Sequence, residues 1–335
     1  MLPAIDALPR FRLFLEPSPL QRLERLEAAL GGRAELWIKR EDLLPLAFGG
    51  NKLRNLEFLV GAAIAAGADS LVTAGRRWSN HCRLTAAAGA RAGLAVHLVL
   101  SGPPAVGVDG REIVNPGRRL DELLGATVTQ LPTADRDARE AAVQAVAADL
   151  RRHGRVPYVI PVGGTGMPGA AGQALAALEL LDQAAARQAP PDAVVVPSAT
   201  GGTQAGLLAG LRSGSSNASV HGILVARPDD ELRPAIESSL LALEAVTGRS
   251  VNPAEVDLDG SELGSGYGRP TAAADAATRL LARTEGIFVD PIYTAKALAA
   301  LVAGIEAGRW DRRRVVFWHA GGTPGLFEPL DGPPA

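Results

Sequence analysis

The clearest candidate for chemistry is Lys52, which follows a Gly49-Gly50-Asn51 segment and begins a predicted helix. A helix N-terminus carries a partial positive charge, so it penalises an ammonium group and favours a neutral amine. A neutral amine is the form that attacks a carbonyl to make a Schiff base. The chain has 34 lysines plus arginines, and only Lys39, Lys52 and Lys296 are lysines. Generic surface charge therefore explains these lysines poorly, although a solvated lysine in a first helical turn is the alternative.

A glycine-rich loop, Pro197 to Gly206, is the best general candidate for an anion site. It follows a fully apolar predicted strand, Ala193 to Val196, and leads into a helix, so it offers free backbone N–H groups and a positive dipole end. The loop lacks the lysine of a P-loop and the G-x-G-x-x-G of a dinucleotide fold, which disfavours nucleoside triphosphates and NAD. A phosphate fits this loop, and a plain turn is the alternative.

Other polar side chains lie in short segments between predicted elements. Ser79-Asn80-His81 is at a predicted strand-to-helix turn, where capping of the helix is the alternative to ligand binding. Tyr267 and Tyr293, two of the three tyrosines, lie in segments rich in glycine or proline. A phenol in such a loop faces a ligand or covers an apolar surface, so neither tyrosine is decisive by itself.

The elements that must position these residues alternate between strand and helix. The chain begins with an extended segment, Phe11 to Pro19, and a predicted helix from about Leu20 to Leu30. Strands are predicted at Glu35 to Lys39, Ser70 to Thr73, Ala95 to Leu100, Thr127 to Leu131, Val156 to Ile160, Ala193 to Val196, His221 to Ala226 and Val315 to His319. Helices are predicted at Lys52 to Ala66, Ser79 to Ala92, Pro116 to Leu124, Ala134 to His153, Gly169 to Gln188 and Asp230 to Thr247, with others after the 197–206 loop, after Pro270 and after Pro291.

This alternation predicts parallel βαβ units and an α/β fold. The glycine-rich segment Pro161 to Gly169 is the predicted crossing between two domains. No period of about 20 to 50 residues marks a repeat protein, and no low-complexity linker separates two halves. A two-domain α/β enzyme is the simplest interpretation.

The composition disfavours several other classes of protein. With 335 residues, 47% of them hydrophobic and 21% charged, the chain resembles an ordinary globular protein with room for two domains. A formal net charge of -2 gives no reason to expect binding to nucleic acid. Short apolar stretches and the lack of a signal-peptide pattern predict a cytoplasmic protein that does not enter a membrane. A single cysteine, Cys82, and the lack of paired Cys or His spacing predict neither a disulfide nor a bound metal.

Six motifs occur in one order along the chain. They are Gly49-Gly50-Asn51-Lys52-Leu53-Arg54, Ser79-Asn80-His81, Thr200-Gly201-Gly202-Thr203, Gly266-Tyr267-Gly268, Asp290-Pro291-Ile292-Tyr293-Thr294 and His319-Ala320-Gly321-Gly322. In order and spacing they resemble the family of D-cysteine desulfhydrases and 1-aminocyclopropane-1-carboxylate (ACC) deaminases over nearly the whole chain. The resemblance implies a pyridoxal 5'-phosphate (PLP) enzyme of fold type II, similar to the tryptophan synthase β subunit, with two three-layer αβα domains built on parallel sheets. The implied larger, PLP-binding domain comprises 1–50 and 164–335, and the implied smaller domain comprises 51–163.

The resemblance also implies a role for each motif. Lys52 is implied as the Schiff-base lysine and proton shuttle, for which its pKa must lie well below about 10.4. The other residues implied in catalysis are Ser79, Tyr267 and Tyr293. Contacts to the cofactor are implied for Lys52, Asn51, Asn80, Thr200, Gly201, Gly202, Thr203, Tyr293, Thr294 and Thr323. Contacts to a small amino-acid substrate are implied for Ser79, Asn80, His81, Trp78, Arg77 and Tyr267.

Two positions distinguish the branches of the family that the chain resembles. His81 and Thr294 resemble the desulfhydrase branch, whereas ACC deaminases carry Gln and Glu at these positions. The resemblance therefore implies β-elimination, from D-cysteine or a related β-substituted amino acid to pyruvate, ammonia and sulfide, in a homodimeric enzyme. The alternatives are an ACC deaminase, an L-cysteate sulfo-lyase, a β-replacement enzyme with a specialised substrate and an inactive PLP-binding relative.

The chain also departs from the family pattern. Arg76-Arg77-Trp78 stands where desulfhydrases have small residues and glutamine. One hypothesis is that Arg76 or Arg77 recognises a second anionic group of the substrate, because guanidinium pairs well with sulfonates and carboxylates. The alternative is that both arginines face solvent and Trp78 fills space. Ala320 replaces a hydroxyl residue near the pyridine nitrogen, so that contact passes to Thr294 or Thr323, or is lost.

Overall fold

The computed structural model of the protein describes residues 3–104, 106, 110–111 and 113–330. Its helices are α1 (Pro3–Asp6), α2 (Glu24–Ala29), α3 (Lys52–Ala65), α4 (Asn80–Ala92), α5 (Pro116–Leu123), α6 (Arg136–Arg152), α7 (Gly169–Ala186), α8 (Gly202–Ser213), α9 (Asp229–Thr247), α10 (Ala272–Glu285) and α11 (Thr294–Glu306). Its strands are β1 (Leu20–Arg22), β2 (Glu35–Arg40), β3 (Ser70–Arg76), β4 (Ala95–Ser101), β5 (Thr127–Leu131), β6 (Pro157–Val159), β7 (Ala193–Ser198), β8 (Ser219–Leu224), β9 (Asp257–Asp259) and β10 (Arg314–His319). The predicted alternation of strands and helices is confirmed.

The larger sheet contains six strands in the order β1-β2-β10-β7-β8-β9. Neighbouring strands are parallel except β1 and β2, which are antiparallel. Alternate residues of β7 face opposite sides of the sheet, so Val194 and Val196 pack with α7, α8 and α9, whereas Ala193 and Val195 pack with α10 and α11. Burial of both faces explains the uninterrupted apolar run of this strand.

The smaller sheet contains four parallel strands in the order β5-β4-β3-β6. On one face, Leu71 and Leu98 pack against α3 and α4. On the other face, Val72 and Val99 pack against α6 through Val143. Each sheet is therefore the middle layer of an αβα sandwich, which confirms the predicted fold class.

The strands of the two sheets come from separate parts of the chain. The larger sheet uses strands within residues 20–40 and 193–319, whereas the smaller sheet uses strands within residues 70–159. A 3-10 turn, Val162–Gly164, lies in the segment predicted as the domain crossing. The domain boundaries themselves stay a prediction, because strand membership alone does not fix the limits of a folding unit.

One predicted element is wrong. The segment from Leu20 to Leu30 is not a single helix, because Leu20–Arg22 forms β1 and α2 begins only at Glu24. Leu20 pairs with Lys39 across the two antiparallel strands, and this sheet pairing outweighs the helical propensity of the segment. The pairing brings the preceding chain beside Lys39, whose Nζ donates a hydrogen bond of 2.6 Å to the carbonyl oxygen of Ser18.

Helix α3, which begins at Lys52, crosses α7 at very short range. A Cβ atom on Gly172 of α7 would lie 2.0 Å from the carbonyl oxygen of Arg54, so only glycine fits at this crossing. The contact joins a helix that covers the smaller sheet to a helix that covers the larger one. It therefore fixes Lys52 at the boundary between the two sheets.

Candidate active site

A pocket lies between the two sheets, at the carboxyl ends of their strands. Loops that follow β3, β7, β8 and β10 contribute to its wall, as is usual for parallel sheets. The residues that line it are Asn51, Lys52, Gly75, Arg76, Ser79, Asn80, His81, Arg136, Arg139, Val162, Gly163, Pro197, Ser198, Ala199, Thr200, Gly201, Thr203, Ala226, Arg227, Tyr267, Tyr293, Ala320 and Gly321. Most of the site residues implied by the sequence therefore meet in one place.

Lys52 occupies the first position of α3 and reaches the pocket with a largely buried side chain. Burial lowers the pKa of its amine to about 8. At neutral pH about a tenth of the amine is therefore unprotonated, far more than for an exposed lysine. The fall in pKa that Schiff-base formation requires is present, and its physical cause is burial.

The loop after β7 forms an anion cradle at the N-terminus of α8. Gly201 precedes the helix with a φ of 83°, and no side chain caps the first turn, so its amides are open to an anion. A Cβ atom on Gly201 would lie 2.5 Å from the side chain of Ile236, which explains the need for glycine here. The hydroxyl of Thr200 accepts a hydrogen bond of 2.6 Å from the hydroxyl of Thr165, which orients the loop.

Asn51 joins this cradle to the lysine helix. Its Nδ2 donates to the hydroxyl of Thr203 at 2.8 Å, and its backbone amide donates to the carbonyl oxygen of Ala320 at 3.0 Å. Its own carbonyl oxygen accepts from Nε2 of Gln173 at 2.8 Å. These bonds hold the residue before Lys52 at a set position relative to the cradle.

The N-terminus of α4 forms another part of the pocket wall. The hydroxyl of Ser79 accepts a hydrogen bond of 3.2 Å from the amide of Cys82, so Ser79 caps this helix. Asn80 begins the helix and accepts a hydrogen bond from the guanidinium of Arg83. Because Ser79 and Asn80 also line the pocket, capping and ligand binding are compatible here.

His81 is buried beside Lys52 and is neutral at physiological pH. Burial, and secondarily the charge of Lys52, lowers the pKa of its imidazole to about 3. The Thr73 hydroxyl donates to the carbonyl oxygen of Ile160 at 2.8 Å, so it must accept from Nε2 of His81 at 2.9 Å. Nδ1 is then an acceptor, and it has no hydrogen-bond partner among the described residues.

Tyr267 and Tyr293 meet at another wall of the pocket. Their hydroxyls are hydrogen-bonded to each other, and their ring centroids are 5.8 Å apart. Burial raises the pKa of both phenols, so both stay protonated at neutral pH. The loop of Tyr267 is held by Lys296, whose Nζ donates to the carbonyl oxygens of Leu263 at 2.9 Å and Gly266 at 3.4 Å.

Thr294 lies behind Tyr293 and does not line the pocket. Its buried hydroxyl donates to Oδ1 of Asp290 at 2.6 Å and accepts from the amide of Asp290 at 2.9 Å. Asp290 also accepts from the amide of Tyr293 at 2.9 Å, so Thr294 and Asp290 together fix the Tyr293 turn. Thr323 and Gly202, which the resemblance also assigns to the cofactor, are outside the lining as well.

Arg77 and Trp78 are buried behind the pocket rather than on its rim. The guanidinium of Arg77 lies 4.5 Å from the centre of the Trp78 ring and donates to the carbonyl oxygens of Pro103 and Pro329 at 3.2 and 3.0 Å. Trp78 packs edge-on against Tyr267, with ring centroids 5.9 Å apart. Arg77 therefore faces neither the substrate pocket nor the solvent. Trp78 holds the ring of Tyr267 in place from behind.

Four polar residues of the lining stand outside the set implied by the sequence: Ser198, Arg136, Arg139 and Arg227. Ser198 ends β7, and its buried hydroxyl has no hydrogen-bond partner among the described residues. It lies within the Pro197 to Gly206 loop that the sequence predicts as an anion site, although the resemblance implies no role for this residue. The arginines gave no such signal, because nearly every basic residue of this chain is arginine.

The pocket suits a ligand that carries both a carbonyl group and a phosphate. A buried amine with a lowered pKa captures the carbonyl, while the α8 cradle binds the phosphate. PLP carries both groups. Two αβα sandwiches enclose the pocket, with the lysine on one wall and the phosphate cradle on the opposite wall. This arrangement defines the fold type II class of PLP-dependent enzymes.

Comparison with known proteins agrees with this class. Residues 11–321 match the family described as pyridoxal-phosphate dependent enzyme. The D-cysteine desulfhydrase of Yersinia pestis (strain Pestoides F) is 40% identical over 321 residues, which cover 95% of each chain. The crystal structure of an ACC deaminase homologue matches with a TM-score of 0.87 at 31% identity, over 97% of this chain and 95% of that one. Serine racemase from Dictyostelium discoideum, with a TM-score of 0.67 at 19% identity over 96% and 98% of the chains, shares the fold. The chain belongs to the PLP-dependent enzyme family.

The residues present fit this cofactor. The amine of Lys52 is buried with no charged partner acting on its pKa, and the first turn of α8 is uncapped. Ser198 Oγ and His81 Nδ1 are buried polar atoms that a polar ligand in the pocket could satisfy. When bound, PLP supplies the carbonyl that captures an amino group and the electron sink that makes the Cα proton of an amino acid removable.

Two further features concern the described residues only. No group of three or more His, Cys, Asp or Glu side chains is placed there to hold a metal ion. No helix in the same part of the chain is both long and apolar enough to cross a membrane.

The lowered pKa of Lys52 predicts a pH-dependent loss of stability in the cofactor-free protein. The unfolded chain binds a proton at Lys52 up to its ordinary pKa of 10.5, whereas the folded chain releases it above about 8. Burial of the protonated amine therefore lowers the free energy of unfolding by its full amount below pH 8. This destabilisation disappears as the pH rises through 10.5. We expect the free energy of unfolding of Lys52→Met to exceed that of the wild type by about 3 kcal/mol at pH 7. This gain should shrink as the pH rises and be lost by pH 10.5. Urea unfolding of both cofactor-free proteins across this range measures the difference, and a difference independent of pH would contradict the prediction.

Lys296 is expected to control substrate binding through the Tyr267 loop. Lys296→Met keeps the length of the buried side chain but removes the bonds to the carbonyl oxygens of Leu263 and Gly266. Because a hydrogen bond to a charged group contributes about 1.5 to 3 kcal/mol, we expect KM for the amino acid to rise about 10-fold. Steady-state kinetics measures KM, and a cofactor titration is the control. A KM within twofold of the wild type would show that the loop keeps its position without this lysine.

Proposed function

We propose that the protein is a PLP-dependent lyase that removes the β-substituent of a small amino acid, with D-cysteine as substrate and pyruvate, ammonia and sulfide as products. The D-cysteine desulfhydrase relative, 40% identical over 95% of the chain, supports this reaction. The observation that carries it is His81, a neutral buried imidazole beside Lys52 whose acceptor, Nδ1, has no hydrogen-bond partner among the described residues. That acceptor is suited to the S–H group of a cysteine side chain.

The amine of Lys52 moves the proton in the proposed reaction. Its unprotonated fraction takes the proton from Cα of the amino acid, and the same amine later returns a proton. Burial keeps water away from the amine and lowers its pKa to about 8, so it exchanges protons readily near neutral pH. The pocket lining contains no carboxylate among its described residues that could replace Lys52 as the base.

The other proposed roles follow from the elements that face the pocket. Ser79, Asn80 and the first turn of α4 bind the α-carboxylate of the amino acid. Thr200, Gly201 and Thr203, with the amides of α8, bind the cofactor phosphate, and Asn51 holds Thr203 in place. The paired phenols of Tyr267 and Tyr293 flank the ring and the substrate. Thr294 acts on Tyr293 through Asp290, so it is a positioning residue.

A panel assay on the PLP-loaded enzyme tests the proposed reaction. D-cysteine, L-cysteine, L-cysteate and ACC are supplied separately, and pyruvate, sulfide, sulfite and 2-oxobutyrate are measured. We expect equal amounts of pyruvate and sulfide from D-cysteine, with kcat/KM for ACC lower by at least about 100-fold. Formation of 2-oxobutyrate from ACC as the main activity would contradict the proposal.

The role of His81 has a test of its own. His81→Gln removes the acceptor at Nδ1, so we expect kcat/KM for D-cysteine to fall by at least about 10-fold because one buried hydrogen bond is lost. Cofactor binding, measured by absorbance titration, serves to separate this loss from a loss of PLP. His97→Gln on β4 is the matched control, since His97 is half-buried away from the pocket. Unchanged kinetics of His81→Gln would contradict the role of His81 in binding the substrate, on which the choice of D-cysteine rests.

We also propose that the enzyme is cytoplasmic and forms a homodimer. Both expectations come from the family resemblance. Light scattering after size-exclusion chromatography measures the mass of the particle, and a mass equal to one chain of 34.6 kDa would contradict the dimer.

A further inference from the structure

The pocket carries an excess of positive charge. Besides Lys52, four arginines line it, namely Arg76, Arg136, Arg139 and Arg227, and none of its described lining residues is Asp or Glu. The whole chain has a net charge of -2, so this excess is local. Like charges that converge on a cavity repel one another unless an anion is bound between them.

One of these arginines already has an acidic partner. Arg136 of α6 forms an ion pair with Glu231 of α9, and both side chains are about half exposed, with relative exposures of 51% and 44%. This pair joins a helix of the smaller sheet to a helix of the larger sheet at the mouth of the pocket. Glu231 neutralises the charge of Arg136 locally, so Arg136 is not the main source of the excess positive charge in the pocket.

Arg139 and Arg227 carry the excess. Both are half-buried, and neither forms an ion pair with any described residue. Arg139 donates a long hydrogen bond, 3.4 Å, from its Nη1 to the hydroxyl of Ser101. Burial lowers the pKa of Arg227, and the nearby charges of Arg136 and Arg139 lower it further, against an opposing effect of the Glu231 carboxylate. Arg227 therefore lies close enough to both other guanidiniums to be repelled by them.

The anions already assigned to the pocket have other partners. The cofactor phosphate has the α8 cradle, and the α-carboxylate of the substrate has the N-terminus of α4. Arg139 comes from α6 and Arg227 from the loop that follows β8, so they approach from different elements. A third anionic group on the bound molecule would lie between them.

We propose that Arg139 and Arg227 bind an anionic group on the side chain of the substrate. The proposal rests on the proposed lyase reaction and extends its substrates beyond D-cysteine to amino acids whose side chains end in a phosphate, sulfonate or carboxylate. Guanidinium groups donate paired hydrogen bonds to the oxygens of such anions. Arg76, which stacks on the Trp78 ring at 5.2 Å, lines the same pocket.

Binding of an unreactive probe tests this site without relying on turnover. The probe is 2-amino-3-phosphonopropionate, in both enantiomers, and alanine is its neutral counterpart. We expect the PLP-loaded enzyme to bind the phosphonate at least about 10-fold more tightly than alanine, measured by isothermal titration calorimetry. Arg139→Gln and Arg227→Gln are each expected to weaken the phosphonate about 10-fold relative to alanine. Arg152→Gln, at the exposed end of α6, removes one charge from the same helix and serves as the control.

A turnover ratio provides the second readout. O-phosphoserine and O-acetylserine both carry a leaving group on Cβ but differ in charge. The ratio of their kcat/KM values therefore measures the effect of the anionic side-chain group on the reaction. We expect either glutamine variant to lower this ratio about 10-fold, whereas Arg152→Gln leaves it unchanged. Equal losses for charged and neutral ligands would overturn the proposal, because they would assign the arginines to the α-carboxylate or to the cofactor.

The failure of the anion site and the failure of the lyase are distinguishable. Turnover of D-cysteine by an enzyme that binds the phosphonate no better than alanine overturns the anion site and leaves the lyase. Arginine-dependent binding of the phosphonate by an enzyme that eliminates from none of the amino acids supports the anion site and overturns the lyase.

Discussion

Replacing Lys52 with alanine is expected to lower kcat/KM for D-cysteine by at least about 10³-fold, because the substitution removes both the amine that binds the cofactor and the base that moves the Cα proton. No other amine lines the pocket among the described residues, and no carboxylate is available there as a substitute base. Pyruvate release measures the rate, and the visible absorbance of the enzyme with PLP measures the covalent link. Both are expected to be lost together.

Lys52→Arg is the matched control for charge and length. A guanidinium stays protonated at every pH used for assays, so we expect this variant to be as inactive as Lys52→Ala although it keeps a positive charge. Added methylamine is expected to restore part of the activity of Lys52→Ala, because a small amine fits the space that the side chain leaves. A variant that retains more than a tenth of the wild-type rate would rule out Lys52 as the base.

The sequence was sufficient to predict the parts of the site that depend on local structure. Lys52 follows Gly49-Gly50-Asn51 at the start of a helix, and Thr200 follows an apolar strand just before another helix begins. Both residues lie at a turn that leads into a helix. Once the start of the helix is known, its free backbone amides and its positive dipole end are known as well. The same alternation of apolar runs and periodic helices predicted the αβα layers.

The parts that depend on tertiary packing could not be predicted in the same way. Arg139 lies in the first turn of an ordinary charged helix, and only the docking of that helix beside β4 directs it into the pocket. Thr294 and Arg77 are close in sequence to residues that line the pocket, yet their side chains point to Asp290 and to backbone carbonyl oxygens behind it. In β1, pairing with β2 replaced the helix that the sequence favoured.

The rarity of lysine was more informative than the position of any arginine. All three lysines have buried or largely buried side chains, and each has a separate task. Lys296 holds the Tyr267 loop through carbonyl oxygens, and Lys39 donates to the carbonyl oxygen of Ser18. A compact ammonium with three donors suits such sites, whereas a planar guanidinium needs more space.

The buried charges around Lys39 connect the lysine helix to the larger sheet. Arg54, two residues after Lys52 on α3, forms two hydrogen bonds of 2.7 Å to Glu41. It forms two more to Glu179 of α7, at 2.7 and 2.8 Å, and Glu179 is also paired with Lys39. Two positive and two negative side chains thus neutralise one another with little access to water. Burial alone would raise the pKa of Glu179, but the hydrogen bonds and positive charges of Arg54 and Lys39 keep it below its usual value.

Arg54→Met is therefore expected to lower the free energy of unfolding by about 3 to 5 kcal/mol at pH 7, since it leaves the fully buried carboxylate of Glu41 without its partner. Urea unfolding measures the loss. Arg279→Met, which breaks an exposed pair with Asp275, is the control and is expected to change stability by less than about 0.5 kcal/mol. The double variant Arg54→Met, Glu41→Gln removes the unpaired charge and should recover part of the loss. If it recovers nothing, lost packing of the arginine against the ring of Phe14 and its neighbours, rather than the uncompensated carboxylate, accounts for the instability.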